Sequence, residues 1–111
     1  MAKVRILLIC GSGASTGFMA ANMRKKAKER GMDLIIEARS EAEIENHADE
    51  VDFILLGPHL GYLEKDIEER LKECNIKNVI VYVMNKSYYS TLDGDAAIND
   101  LLTHMGKGEK V

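Results

Sequence analysis

At 111 residues the chain has room for one domain around one core, and a hydrophobic content of 46% is enough to fill it. A net charge of -3, with Lys and Arg interspersed among acids, leaves no basic stripe and argues against nucleic acid or a membrane surface as partner. No apolar run approaches the ~20 residues of a spanning helix, and the N-terminal one is too short for a signal peptide, so a cytoplasmic protein without membrane insertion is expected.

The first stretch, Val4 to Gly17, reads VRILLICGSGASTG. Its unbroken apolar run is the pattern of a parallel strand buried on both faces. Cys10 ends the strand and opens a loop, Gly11, Ser12, Gly13 and Ala14, that leads into a helix beginning near Ser15. Glycines at 11, 13 and 17 permit positive φ and let several N–H groups converge, and the helix start adds its own unpaired N–H groups and dipole. A dianionic phosphoryl group suits such a cradle, held by backbone N–H groups and the hydroxyls of Ser12, Ser15 and Thr16. Ser15 or Thr16 also suits a helix cap. A thiol at the mouth of the cradle is expected to have a lowered pKa, because the surrounding dipoles favour thiolate. Cys10 is therefore the candidate nucleophile. The ordinary alternative for a cysteine ending an apolar strand is a small buried hydrophobe; the Gly- and hydroxyl-rich loop directly after it favours chemistry.

The first helix is expected over Thr16 to Arg30, with Ala20, Met23 and Ala27 facing the sheet and Gly31 as its stop. The cations from Arg24 to Arg30 fill its last turns, far from Cys10, and read as a solvated face. Phe18 and Met19, early in this helix, are candidates for an apolar contact patch, with core packing the alternative for Met19. DLIIEA, Asp33 to Ala38, is a second strand, followed by a charged helix around Glu41 to Ala48. VDFILLG, Val51 to Gly57, is a third strand. GPHLGYL is a turn cluster before a helix with Leu63, Ile67, Leu71 and Cys74 on one stripe, which makes Cys74 a core thiol. NVIVYVM, Asn78 to Met84, is a fourth strand, and a Tyr-rich connection leads to a closing helix carrying Ile98, Leu101, Leu102 and Met105. Residues 106–111 are expected to fray. His47 and His104 fall in helical stretches and look incidental. Two cysteines without a signal peptide do not make a disulfide framework, and no metal or other cofactor is indicated.

Strands alternating with helices imply a single α/β domain, a four-stranded parallel sheet with helices on both faces. In the flavodoxin-like order 2-1-3-4, ligands bind at the carboxyl ends of strands one and three, where neighbouring crossovers diverge. The Cys10 loop and GPHLGYL then meet, and Pro58, His59 and Tyr62 become candidates for the rim.

Three functions fit such a site. A dinucleotide binder would use the glycines, with Glu37 as a ribose-binding acid, but the spacing is GxGxxxG and there is no second mononucleotide half. A small cysteine-dependent phosphatase of the low-molecular-weight type would need CxxxxxR, and Thr16 stands where the Arg belongs; Asp93 or Asp95 would be its general acid. The third is a phosphoryl carrier, and Cys10 as a redox sensor is a further binding-only possibility.

The CGSGASTG loop, the LLGPHLGY segment and the YYSTLDG connection resemble the IIB components of the phosphoenolpyruvate-dependent sugar phosphotransferase system, in the lactose, cellobiose and chitobiose group. The resemblance runs from about Lys3 to Met105. His59 stands where an amide side chain is expected, and Gly17 where a small hydroxyl residue is common. The resemblance implies a relay: a phosphohistidine on a IIA protein donates to Cys10, and phospho-Cys10 donates to a sugar held by a membrane IIC permease.

Overall fold

The computed structural model describes residues 4–10, 15–76 and 79–109. Its four strands are β1 (Val4–Cys10), β2 (Leu34–Ser40), β3 (Phe53–Leu56) and β4 (Ile80–Val83), all parallel in the order β2-β1-β3-β4. This is the expected order. The helices are α1 (Ser15–Glu29), α2 (Ile44–His47), α3 (Glu64–Glu73), α4 (Lys86–Tyr89) and α5 (Gly94–Glu109), with single-turn 3-10 segments at Glu41–Glu43 and Ala48–Glu50 and a longer one at Pro58–Leu63.

Alternation along the central strands sorts the core into two layers. Ile6 and Leu8 of β1 and Phe53 and Leu55 of β3 point to α1 and α5, where Met19, Met23, Ile98 and Leu101 cover them. Leu7, Ile9, Ile54 and Leu56 point the other way, to Ile44, Leu60, Ile67 and Leu71. Both faces of the sheet are therefore buried, which is why its central strands carry no polar alternation.

Helix ends explain most departures from the sequence pattern. α1 stops as expected at Gly31, whose φ is 69°, while Met32 donates its N–H to the Ala27 carbonyl at 2.9 Å. α3 ends the same way with Asn75 as the left-handed residue, at φ 58°, and Ile76 donating to Leu71 at 2.9 Å. Cys74 is thus the cap of the helix and not part of its buried stripe. It is exposed, contrary to expectation, and Ile76 makes the apolar contact in its stead. Of the apolar residues named on the closing helix, Ile98 and Leu101 are buried and Leu102 is 36% exposed. The helix expected over Glu41 to Ala48 is broken into single turns, the first of them capped by Ser40, whose hydroxyl accepts from Ala42 N–H and whose N–H donates to Glu43. α5 continues through 106–109, the first part of the stretch expected to fray.

The cations of α1 are not all solvated. Arg24 Nη1 donates to the Ile36 carbonyl at 2.6 Å, satisfying an acceptor on edge strand β2, and Arg30 pairs with Asp95 at 3.1 Å.

Candidate functional site at the carboxyl edge of the sheet

β1 ends at Cys10, whose backbone pairs with Ser40 on one side. On the other side Ile9 pairs with Leu56, so the next residues of the two strands, Cys10 and Gly57, emerge next to each other. Gly11, Ser12, Gly13 and Ala14 lie outside the described residues. Ser15 and Thr16 are the first residues of α1. Gly17 is an ordinary helical residue: Gly31 is the one glycine with positive φ among the described residues, so Gly17 does not contribute a left-handed turn to the loop.

Around this edge the expected rim residues separate. Phe18, in the first turn of α1, is 62% exposed, and Tyr62, after β3, is 77% exposed. Both rings are therefore largely in water, Phe18 just after the loop and Tyr62 five residues past Gly57. Met19 is fully buried and belongs to the core, not to a contact patch. Pro58 starts the turn after β3, and His59 is exposed with its ring 5.9 Å from that of Tyr89. Both rings hang over Gly57: a Cβ there would lie 2.7 Å from His59 Cε1 and 3.3 Å from Tyr89 Cζ.

α4, which the sequence pattern does not reveal, brings Lys86 and Tyr89 to this edge. Asn85 caps it by accepting from Ser87 N–H at 2.8 Å. Tyr88 ties it to α5, its hydroxyl donating to Asp100 Oδ2. Burial first, and then the Asp100 bond, push the Tyr88 phenol well above its usual range. His104 is not incidental: it stacks on Tyr82 at 3.7 Å and lies 3.4 Å from Asp100. Ser40, the other neighbour of Cys10, is also not singled out by its residue type, although the S-x-x-E spacing from Ser40 to Glu43 is a legible capping signal.

The acids that the competing functions need are elsewhere. Glu37 pairs with Leu7 in mid-strand and bonds Arg39 at 3.4 Å, short of the carboxyl edge where a ribose would sit. Asp93 accepts from Ala96 N–H at 3.1 Å as the cap of α5, and Asp95 is held by Arg30 at the far end of α1.

The fold and this edge define the class, a small α/β domain with a parallel sheet in which a central strand ends in a cysteine beside a turn that begins Gly-Pro. This chain belongs to the lactose- and cellobiose-type IIB family of the sugar phosphotransferase system: residues 5–100 match the family described as "PTS system, Lactose/Cellobiose specific IIB subunit". It is 29% identical over 101 residues to the oligo-beta-mannoside-specific EIIB component of Bacillus subtilis (strain 168), covering 91% of this chain and 95% of that one. It is 31% identical over 103 residues to the galactose-specific EIIB component of Lactococcus lactis subsp. cremoris (strain MG1363), covering 88% and 93%. The lactose-specific IIB component domain from Streptococcus pneumoniae shares its fold, with a TM-score of 0.77 at 16% identity over 93% of this chain and 98% of that one. The chain is accordingly a phosphotransferase component of a sugar transport system. No helix among the described residues is long and apolar enough to cross a membrane.

Proposed function

We propose that the chain is a phosphocysteine carrier working in the cytoplasm, which accepts a phosphoryl group on Cys10 from a phosphohistidine of a IIA protein and passes it to a sugar bound by a membrane IIC permease. The observation that carries the reading is Cys10 itself, the last residue of β1, running through CGSGASTG into α1. In the first step the Cys10 thiolate attacks phosphorus in line. The S–P bond forms as the P–N bond breaks, and the imidazole nitrogen keeps the electron pair. In the second step a sugar hydroxyl oxygen attacks phosphorus, the S–P bond breaks with its electrons returning to the thiolate, and the hydroxyl proton goes to solvent.

Residues 11–17 hold the phosphoryl group through backbone N–H groups and the hydroxyls of Ser12, Ser15 and Thr16. With no Arg in that loop to clamp the equatorial oxygens, water competes poorly, as a carrier requires. Phe18 and Tyr62, both exposed, meet the partner proteins in turn, with Pro58 and His59 on the rim. The sugar is of the β-glucoside or disaccharide class.

Intact mass decides the reading. After incubation with phosphoenolpyruvate, the general phosphocarriers and a IIA protein of this group, wild type and Cys74→Ser each gain one phosphoryl group and Cys10→Ser gains none. Loss of the adduct in Cys74→Ser alone, or turnover of an aryl phosphate without a stable adduct, overturns it.

A further inference from the structure

The carboxyl edge carries a groove of about 320 Å³ between the turn after β3 and α4, lined by Pro58, His59, Lys86, Tyr89 and Ser90. It adjoins the end of β1, because His59 and Tyr89 both overhang Gly57, the residue that emerges beside Cys10. None of the described lining residues is acidic. Lys86 is exposed, and no acid among the described residues pairs with it. The groove is also held in place: Asn85 caps α4, and Tyr88 anchors it to Asp100. A fixed, acid-free groove with an unpaired ammonium thus stands next to a loop whose own sequence has no cation, in a chain of net charge -3.

We propose that Lys86 is the cation that binds the phosphoryl group as it arrives on the donor protein, attracting it to the groove and orienting it toward Cys10. The proposal rests on the carrier reading above. An ammonium is a compact point charge, so it draws in a dianion without the bidentate fork that would also stabilise attack by water. It therefore favours encounter and binding more than the transfer step itself.

The test has two arms. In the first, the isotope-labelled protein is titrated with inorganic phosphate and followed by NMR. Amide shifts at His59, Lys86 and Ser90 are expected, weakened roughly tenfold in Lys86→Gln and retained in Lys86→Arg. In the second, the rate of phosphoryl uptake is measured against the concentration of phosphorylated IIA protein. Lys86→Gln should raise KM roughly tenfold with kcat unchanged, by an amount that shrinks at high salt, and Lys86→Arg should restore it. A Lys86→Gln protein that matches wild type in either arm, or a loss that falls on kcat or is not rescued by Arg, overturns the role of Lys86. A wild type that takes up no phosphoryl group while phosphate still titrates the groove through Lys86 overturns the carrier reading and supports the groove.

Discussion

Gly17 and Gly94 both stand in helices, and a Cβ would meet opposite surroundings at the two. At Gly17 nothing among the described residues lies within 4 Å of the added atom, so Gly17→Ala should raise stability by about 0.5–1 kcal/mol through helix propensity. At Gly94 the Cβ would sit 2.6 Å from the backbone carbonyl of Asn22, in a junction that Asn22 also pins by donating to the Leu92 carbonyl at 2.7 Å. Backbone cannot step aside as a side chain can. Gly94→Ala should therefore cost about 1–3 kcal/mol, and urea midpoints of the two variants check the pair. The contrast also shows what residue type reveals. Cys10 and Gly31 are legible because each ends a periodic pattern. Cys74 is not: its helical phase is right, but the chain leaves the helix at Asn75, a left-handed stop that Asn signals more weakly than Gly and that the apolar spacing overrides in a reading by period. Lys86 is illegible for a related reason, since a single exposed Lys gains meaning only from the groove around it.

Among elements, the strands were the most readable, because short apolar runs bounded by turn residues fix both their type and their burial. The segment between β2 and β3 was the least readable; beyond its buried Ile44 and Ala48, one residue of another element ties it down. Arg70 of α3 reaches across to it: Nε and Nη2 donate to the Glu45 carboxylate at 2.6 Å, Nη1 to Glu41 at 2.6 Å, and Nη2 to the Glu41 carbonyl at 3.0 Å. The Arg70 hydrogen bond pulls the Glu45 carboxyl below its usual range, against a smaller opposing effect of burial. A lowered folded value means that this contribution is present above the unfolded pKa, about 4.3, and is lost as pH falls through the folded one. The carboxylates are partly exposed and screened, so Arg70→Met should cost only about 1 kcal/mol at pH 7. The gap between wild type and Arg70→Met in urea midpoint should narrow as pH is lowered from 7 to 3. A gap unchanged across that range would show that Arg70 acts there through packing of its stem, not through charge.

At the scale of the whole molecule, two-sided burial of the sheet was legible from the central strands, but the polar cost of closing the β4 edge was not. Tyr82 lies on that strand, in a sequence that reads simply as apolar, and its ring is packed edge-on to Phe53 and face-on to His104. Its hydroxyl is buried and finds no hydrogen-bond partner among the described residues. Burial above all, with Tyr88 and Asp100 nearby, pushes the Tyr82 phenol far above its usual range, and Tyr88 is displaced in the same direction. For both groups the folded value lies above the unfolded one, about 10, so the folded state holds more protons. Stability is then intact below pH 10 and declines as pH rises beyond it. Tyr82→Phe keeps the ring stacks and removes an unpaired hydroxyl, so at pH 7 it should be neutral or stabilising by up to about 1 kcal/mol. Tyr88→Phe, by contrast, takes the donor from Asp100 and loosens α4, and should cost about 1–2 kcal/mol. Urea unfolding followed from pH 8 to pH 11 separates these effects. The wild-type midpoint should fall more steeply above pH 10 than that of Tyr82→Phe, because only the wild type must expose Tyr82 before it can ionise. Parallel curves would mean that the Tyr82 hydroxyl reaches water in the native state, and the sealed β4 edge inferred from its burial would have to be given up.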